Sequence, residues 1–147
     1  MSELVSDILI ELHVPDFAPA KEFYGKIGYE IVWQKEEKID EGYLVMRNGK
    51  SILNFYCGTN QVYKHDFFGK FPKDTPRGYA VEIIIQIAGI ESFYKKFKML
   101  FPENIVKELN NKYSHKDFRA VDPYGFYVRF VEKNNWVEGR KKDGTVT

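Results

Sequence analysis

The feature that most constrains this chain is a pattern that runs through it twice. Over 8–14 apolar and polar positions alternate: Ile8, Ile10, Leu12 and Val14 fall on one face, and Leu9, Glu11 and His13 on the other. That is a strand with one core face and one polar-bearing face. A helix is predicted over 18–27, with Asp16 placed to accept hydrogen bonds as its N-cap and Gly28 as its stop. Strands are expected over 29–34, 43–47 and 51–56, the last two joined by a tight turn at Asn48-Gly49. After a loop-like stretch over 58–78 the order restarts. A strand over 81–87 carries Val81, Ile83, Ile85 and Ile87 on one face and Glu82, Ile84 and Gln86 on the other. A helix over 90–100 carries Ile90, Phe93, Tyr94, Phe97 and Leu100 at helical spacing. Strands over 105–109, 117–121 and 126–132 complete the half, with the turn Asp122-Pro123-Tyr124-Gly125 before the last. Each half therefore reads β-α-β-β-β, and the closing segments Ile52–Phe55 and Tyr127–Phe130 correspond, which aligns Asn54 with Arg129.

A duplication of this kind implies an α+β fold of two βαβββ modules in tandem, about 6–57 and 79–133. Together they make one domain over 1–137 whose sheets form a cleft, followed by a flexible tail over 138–147. The 147 residues are enough to bury a core without disulfides, and Cys57, the only cysteine, can form none within the chain. Its parity with Leu53 and Phe55 makes it a small core residue, and with no disulfide the expected setting is reducing and cytoplasmic. Lys and Arg number 22 against 21 Asp and Glu, so no global field draws in nucleic acid, and the three basic residues of Arg140-Lys141-Lys142 are too short a run to change that. No apolar run is long enough for a membrane span, and Met1-Ser2-Glu3 does not begin a signal peptide.

Two segments carry a family resemblance. Val14-Pro-Asp-Phe-Ala-Pro-Ala-Lys-Glu-Phe-Tyr-Gly-Lys-Ile-Gly-Tyr29 resembles the opening signature of the vicinal oxygen chelate superfamily, and Phe118-Arg-Ala-Val-Asp-Pro-Tyr-Gly-Phe-Tyr-Val-Arg-Phe-Val-Glu132 its closing one. That superfamily includes glyoxalase I, extradiol dioxygenases, fosfomycin-modifying enzymes and bleomycin resistance proteins. The resemblance covers roughly 7–132 and implies cupped mixed sheets with helices outside, and a module-paired homodimer. In the metal-dependent members four strand positions bind a divalent ion. Here the resemblance places those positions on Leu9, Asn54, Glu82 and Arg129. Leu9 has no donor atom, Asn54 offers a weak amide oxygen, and the Arg129 guanidinium has no lone pair to give. Only Glu82 is an ordinary ligand, so no metal or other cofactor is expected, and the resemblance points to the binding branch that includes bleomycin resistance proteins.

The candidate ligand-binding residues are the polar members of the strand faces: Glu11, His13, Asn54, Tyr56, Glu82, Gln86, Tyr127 and Arg129. Two readings stand for each charged group. Glu82 and Arg129 either form a structural ion pair or hold a polar ligand. His13 beside Glu11 is either a general base with its orienting carboxylate or a hydrogen-bonded wall. His65, in the aromatic stretch over 62–71, and His115 read as loop or surface residues. Tyr63, Phe67, Phe68 and Phe71 read as anchors for the loop, or as a lid. Trp33 and Trp136 are open to the same two readings. The preferred function is a metal-independent small-molecule-binding protein that sequesters a ligand such as an antibiotic in a dimer cleft, without assigned catalytic residues. The alternative is a metal-dependent glyoxalase-like lyase or dioxygenase. A third reading is a subunit or regulator whose cleft has lost function and whose dimer surface matters, which an empty, ion-paired cavity would support.

Overall fold

A computed structural model of the chain describes residues 5–36, 42–112, 115–137 and 144. The predicted tail over 138–147, Arg140 to Lys142 included, lies outside the described residues apart from Gly144. The elements run β1 (Glu11–Val14), α1 (Ala18–Lys26), β2 (Glu30–Lys35), β3 (Gly42–Asn48), β4 (Ser51–Cys57), β5 (Glu82–Ile87), α2 (Ile90–Leu100), β6 (Ile105–Asn110), β7 (Asp117–Val121) and β8 (Tyr127–Glu132). They form two four-stranded mixed sheets with the same order, β1-β4-β3-β2 and β5-β8-β7-β6. The chain divides into two compact units, 1–76 and 77–147, each holding one sheet and one helix. This is the α+β repeat that the doubled pattern implies. No helix among the described residues is long and apolar enough to cross a membrane.

In each unit the first strand pairs in parallel with the last, Leu12 with Phe55 and Ile83 with Val128, while the other pairings are antiparallel. A parallel pair needs a crossover, and the helix is part of it. Helix and sheet then share one apolar layer. In the first unit Leu12, Val14, Leu44, Met46, Phe55 and the Cys57 thiol are buried with Phe23 and Tyr24 of α1. In the second, Phe97 of α2 lies 5.2 Å from the Phe118 ring and 5.4 Å from Phe130, and those two rings stack at 4.9 Å. Such ring pairs contribute about 0.5–1.5 kcal/mol each beyond area burial.

Several local expectations shift. The first strand begins at Glu11, because Ile8 and Leu9 are exposed and outside the ladder. The N-cap of α1 is Phe17 rather than Asp16, with no side-chain cap bond. Pro19 in that first turn has a preset φ and no N–H, so one donor that a carboxylate would have satisfied is missing. Gly28 ends the helix at φ +110, as expected. The hairpin turn is Gly49-Lys50, one residue on from the expected pair, since Asn48 still pairs with Ser51. The 58–78 stretch contains two 3-10 turns, Asn60–Lys64 and Phe68–Lys70. At the final turn, Asp122 is buried and its Oδ1 accepts from the backbone N–H of Tyr124 and of Phe126, both at 2.9 Å.

Candidate functional site

With one face of each sheet buried under its helix, the register delivers the alternate residues to the other face. In the first unit the cross-strand rows on that face are Glu11, Asn54, Val45 and Trp33, then His13, Tyr56, Tyr43 and Lys35. All four candidates of this half, Glu11, His13, Asn54 and Tyr56, therefore share one surface. The Glu11 carboxylate joins the rows: Oε2 lies 3.0 Å from His13 Nε2, and Oε1 accepts from the Tyr43 hydroxyl at 2.6 Å. Asn54 is buried and donates from Nδ2 to the Ile10 carbonyl at 3.0 Å, which ties down the segment before β1.

The connector after β4 closes over His13. The His65 ring stands edge-on to His13 with centroids 5.0 Å apart, Phe68 lies 5.1 Å from His13 and stacks on His65 at 4.6 Å, and Tyr56 lies 5.0 Å from His13. His65 is held by its own loop, because Nδ1 accepts from the backbone N–H of both Phe67 and Phe68 at 3.1 Å. Expected as a loop or surface residue, His65 does lie in a loop, and that loop packs its ring against His13. The sequence signal was its place in an aromatic stretch, but nothing local says that the stretch turns back onto β1.

Electrostatics follow from this enclosure. Burial lowers the His13 pKa below the ordinary histidine value of 6.5, against an opposing pull from Glu11, and nearby His65 lowers it further. Burial and the neighbouring Glu11 carboxylate push the Tyr43 phenol up, so it stays protonated as the donor to Glu11. At neutral pH the three groups are a carboxylate between two uncharged donors.

The second unit uses its polar face differently. Glu82, Gln86, Tyr127 and Arg129 do lie on the face away from α2, but Arg129 does not pair with Glu82. Its Nε donates to Asp117 Oδ2 at 2.7 Å, and Asp117 is 1% exposed. Glu82 instead faces Arg119, with Oε1 3.7 Å from Nε. Arg119 also reaches Asp117 at 3.6 Å and engages Tyr127. The reason is register. Arg119 and Arg129 are direct cross-strand partners, and two like charges side by side require a shared anion, which Asp117 supplies one row away. The residues after β8 cover part of this face. The Asn134 N–H donates to Gln86 Oε1 at 2.9 Å, and the Trp136 ring lies against the Arg129 guanidinium at 5.7 Å. Sequence reasoning missed Asp117 and Arg119, whose pairing depends on which strand neighbours which.

The four positions that the family resemblance would make metal ligands offer no matching donor set. Leu9 is apolar, Asn54 has only an amide oxygen to offer once its Nδ2 is bonded to Ile10, Glu82 faces a guanidinium, and Arg129 is itself a cation. Among the described residues no three His, Cys, Asp or Glu side chains come together as a metal-binding group.

No protein-family model and no curated protein sequence matches the chain. Solved structures do. A hypothetical protein from S. aureus superposes with a TM-score of 0.66 at 14% identity, over 88% of this chain and 95% of that one. A bleomycin-binding protein complexed with bleomycin gives 0.57 at 15%, over 88% and 100%. A glyoxalase family protein from Enterococcus faecalis gives 0.60 at 17%, over 84% and 94%. At these identities the likeness is one of fold. It is the same fold that the opening and closing sequence signatures indicated.

Two outcomes follow from the geometry. Because the folded His13 resists protonation, the unfolded chain takes up that proton first as pH falls. The His13 contribution to stability is therefore complete above 6.5 and is lost as pH drops through the lower folded value. NMR titration is expected to place the His13 midpoint below 6.5, and Glu11→Gln to move it lower still, since the carboxylate is what holds it up. Separately, Arg129→Ala leaves the buried Asp117 with the longer Arg119 contact as its one ion pair among the described residues. Urea unfolding should show a loss of about 3 kcal/mol, the lower end for a broken buried pair, with Glu82→Gln costing far less.

Proposed function

We propose that this chain is a metal-independent small-molecule-binding protein that sequesters its ligand and does not transform it. Its binding surface is the polar face of the first sheet, formed by Glu11, His13, Asn54, Tyr56 and Tyr43 with Phe68 and His65 above them. The observation that carries the reading is the enclosure of a fixed hydrogen-bonding trio by aromatic rings on a surface its own helix leaves uncovered. Aromatic walls with a few placed polar groups are the usual make-up of a small-molecule site. A fold shared with a protein that binds bleomycin adds to it. Of the second module's candidates, Gln86 and Arg129 are taken up by the Asn134–Trp136 segment and by Asp117, so they shape that face. Glu82 and Tyr127, beside Arg119, are its remaining polar contacts for a ligand.

The metal-dependent lyase or dioxygenase reading needs lone pairs where Leu9 and Arg129 stand, and it is the weaker for it. A thermal-shift screen of a small-molecule library tests the binding reading. Hits should raise the melting temperature of the wild type and lose most of that rise in Phe68→Ala. A library with no stabilising compound, or hits indifferent to Phe68, would sink the proposal. One stoichiometric transition-metal ion per purified chain would favour the lyase instead.

A homodimer is proposed as the working form. Val5, Ile8, Leu9 and Ile10 are exposed immediately before the edge strand β1, an apolar run next to unpaired ladder positions. A second copy is the occupant that would cover it. Light scattering at micromolar concentration should return about twice the 17.3 kDa chain mass. Ile8→Asp with Leu9→Asp should shift the protein toward monomer.

A further inference from the structure

The charge of the trio narrows the class of ligand. Glu11 has two partners among the described residues, the Tyr43 hydroxyl and the His13 ring. No lysine or arginine of the described residues forms an ion pair with it. Both partners are uncharged donors at neutral pH, because burial disfavours protonation of His13 and keeps the Tyr43 proton in place. They orient the carboxylate without neutralising it. The other carboxylates of these strand faces have a guanidinium beside them: Glu30 of β2 has its cross-strand partner Arg47 of β3, Glu82 has Arg119, and Asp117 has Arg129. Glu11 is the exception, and aromatic rings stand around it and its two partners. Tyr43 lies 6.2 Å from Trp33 and 6.4 Å from Tyr56, and Phe68 and Trp33 are half exposed.

Ring faces carry negative quadrupole density, so they attract a cation and do nothing for an anion. A carboxylate held in position by two neutral donors accepts a charge-assisted hydrogen bond without first reorganising. We propose that this face is selective for planar organic cations, such as amidinium or protonated heteroaromatic groups, with Glu11 as the counter-ion and Phe68, Tyr56 and Trp33 as the stacking walls. This rests on the proposed ligand-binding reading of the same face and adds to it the sign of the ligand's charge.

Three probes of one shape separate the outcomes: benzamidine, which is cationic at pH 7.5, neutral benzamide, and anionic benzoate. Isothermal titration calorimetry on the full chain should give at least tenfold tighter binding of benzamidine than of either other probe. Glu11→Gln should remove that preference by weakening benzamidine alone, Glu11→Asp should keep most of it, and Phe68→Ala should weaken benzamidine and benzamide together. Unchanged melting temperatures of the Glu11 variants would show that the fold is intact. Equal affinity for the three probes, a preference for benzoate, a preference that survives Glu11→Gln, or no binding by benzamidine each overturns the cation assignment. The ligand-binding reading is decided independently by the library screen and its Phe68 dependence.

Discussion

Each half of this protein depends on the parallel pairing of its first strand with its last. That pairing obliges the chain to cross over between β1 and the rest of the sheet, and the crossing is made by a helix that lies on one side. A four-stranded sheet covered by a single short helix has one dry face and one face that must be dealt with otherwise. Leu12, Val14, Phe55, Val128 and Phe130 go to the dry face. The candidate site residues are on the other one.

The two modules deal with that other face in different ways. In the second, charges are paired off: Asp117 is shared by Arg129 and Arg119, Glu82 faces Arg119, and residues 134–136 lie over Gln86 and Arg129. Breaking one member of such a chain leaves a buried charge, so its residues are held in place by the cost of their own removal. In the first module the trio His13, Glu11 and Tyr43 is bonded but keeps a net negative charge, and rings surround it instead of counter-ions. The repeat supplies two equivalent scaffolds, and side-chain choice at a handful of positions pairs the carboxylates of one face with guanidinium groups and sets Glu11 among rings on the other.

Two of the four positions that the family resemblance would make metal ligands serve the sheets themselves. Arg129 stands at one of them, and its charge stabilises Asp117 within its own sheet. A cation in that position opposes a divalent ion by Coulomb repulsion as well as by lacking a lone pair. Asn54, at another, fastens the segment before β1 through the Ile10 carbonyl. At these two positions the side chain holds neighbouring segments of its own unit together.

Much of this was legible in the sequence. Two-residue periodicity assigned each strand residue to a face, because the pleat allows no other alternation, and so Glu11, His13, Asn54 and Tyr56 could be grouped from their positions in the chain alone. The repeat itself, the helix over 90–100, and the Asp122 turn were likewise legible, since each depends on residues close together in the chain. What the sequence could not decide was partnership at a distance. Glu82 and Arg129 looked like a pair by charge and face and do stand on neighbouring strands, yet β7, on the other side of β8, brings in Arg119 and Asp117, and these take the two charges. Tyr43 lies 32 positions from Glu11, and its hydrogen bond exists only because β3 and β1 flank the same strand. His65 reaches His13 from between the two turns of a connector with no periodicity to read. Local pattern determines which way a side chain points; only the assembled sheet determines what it meets there.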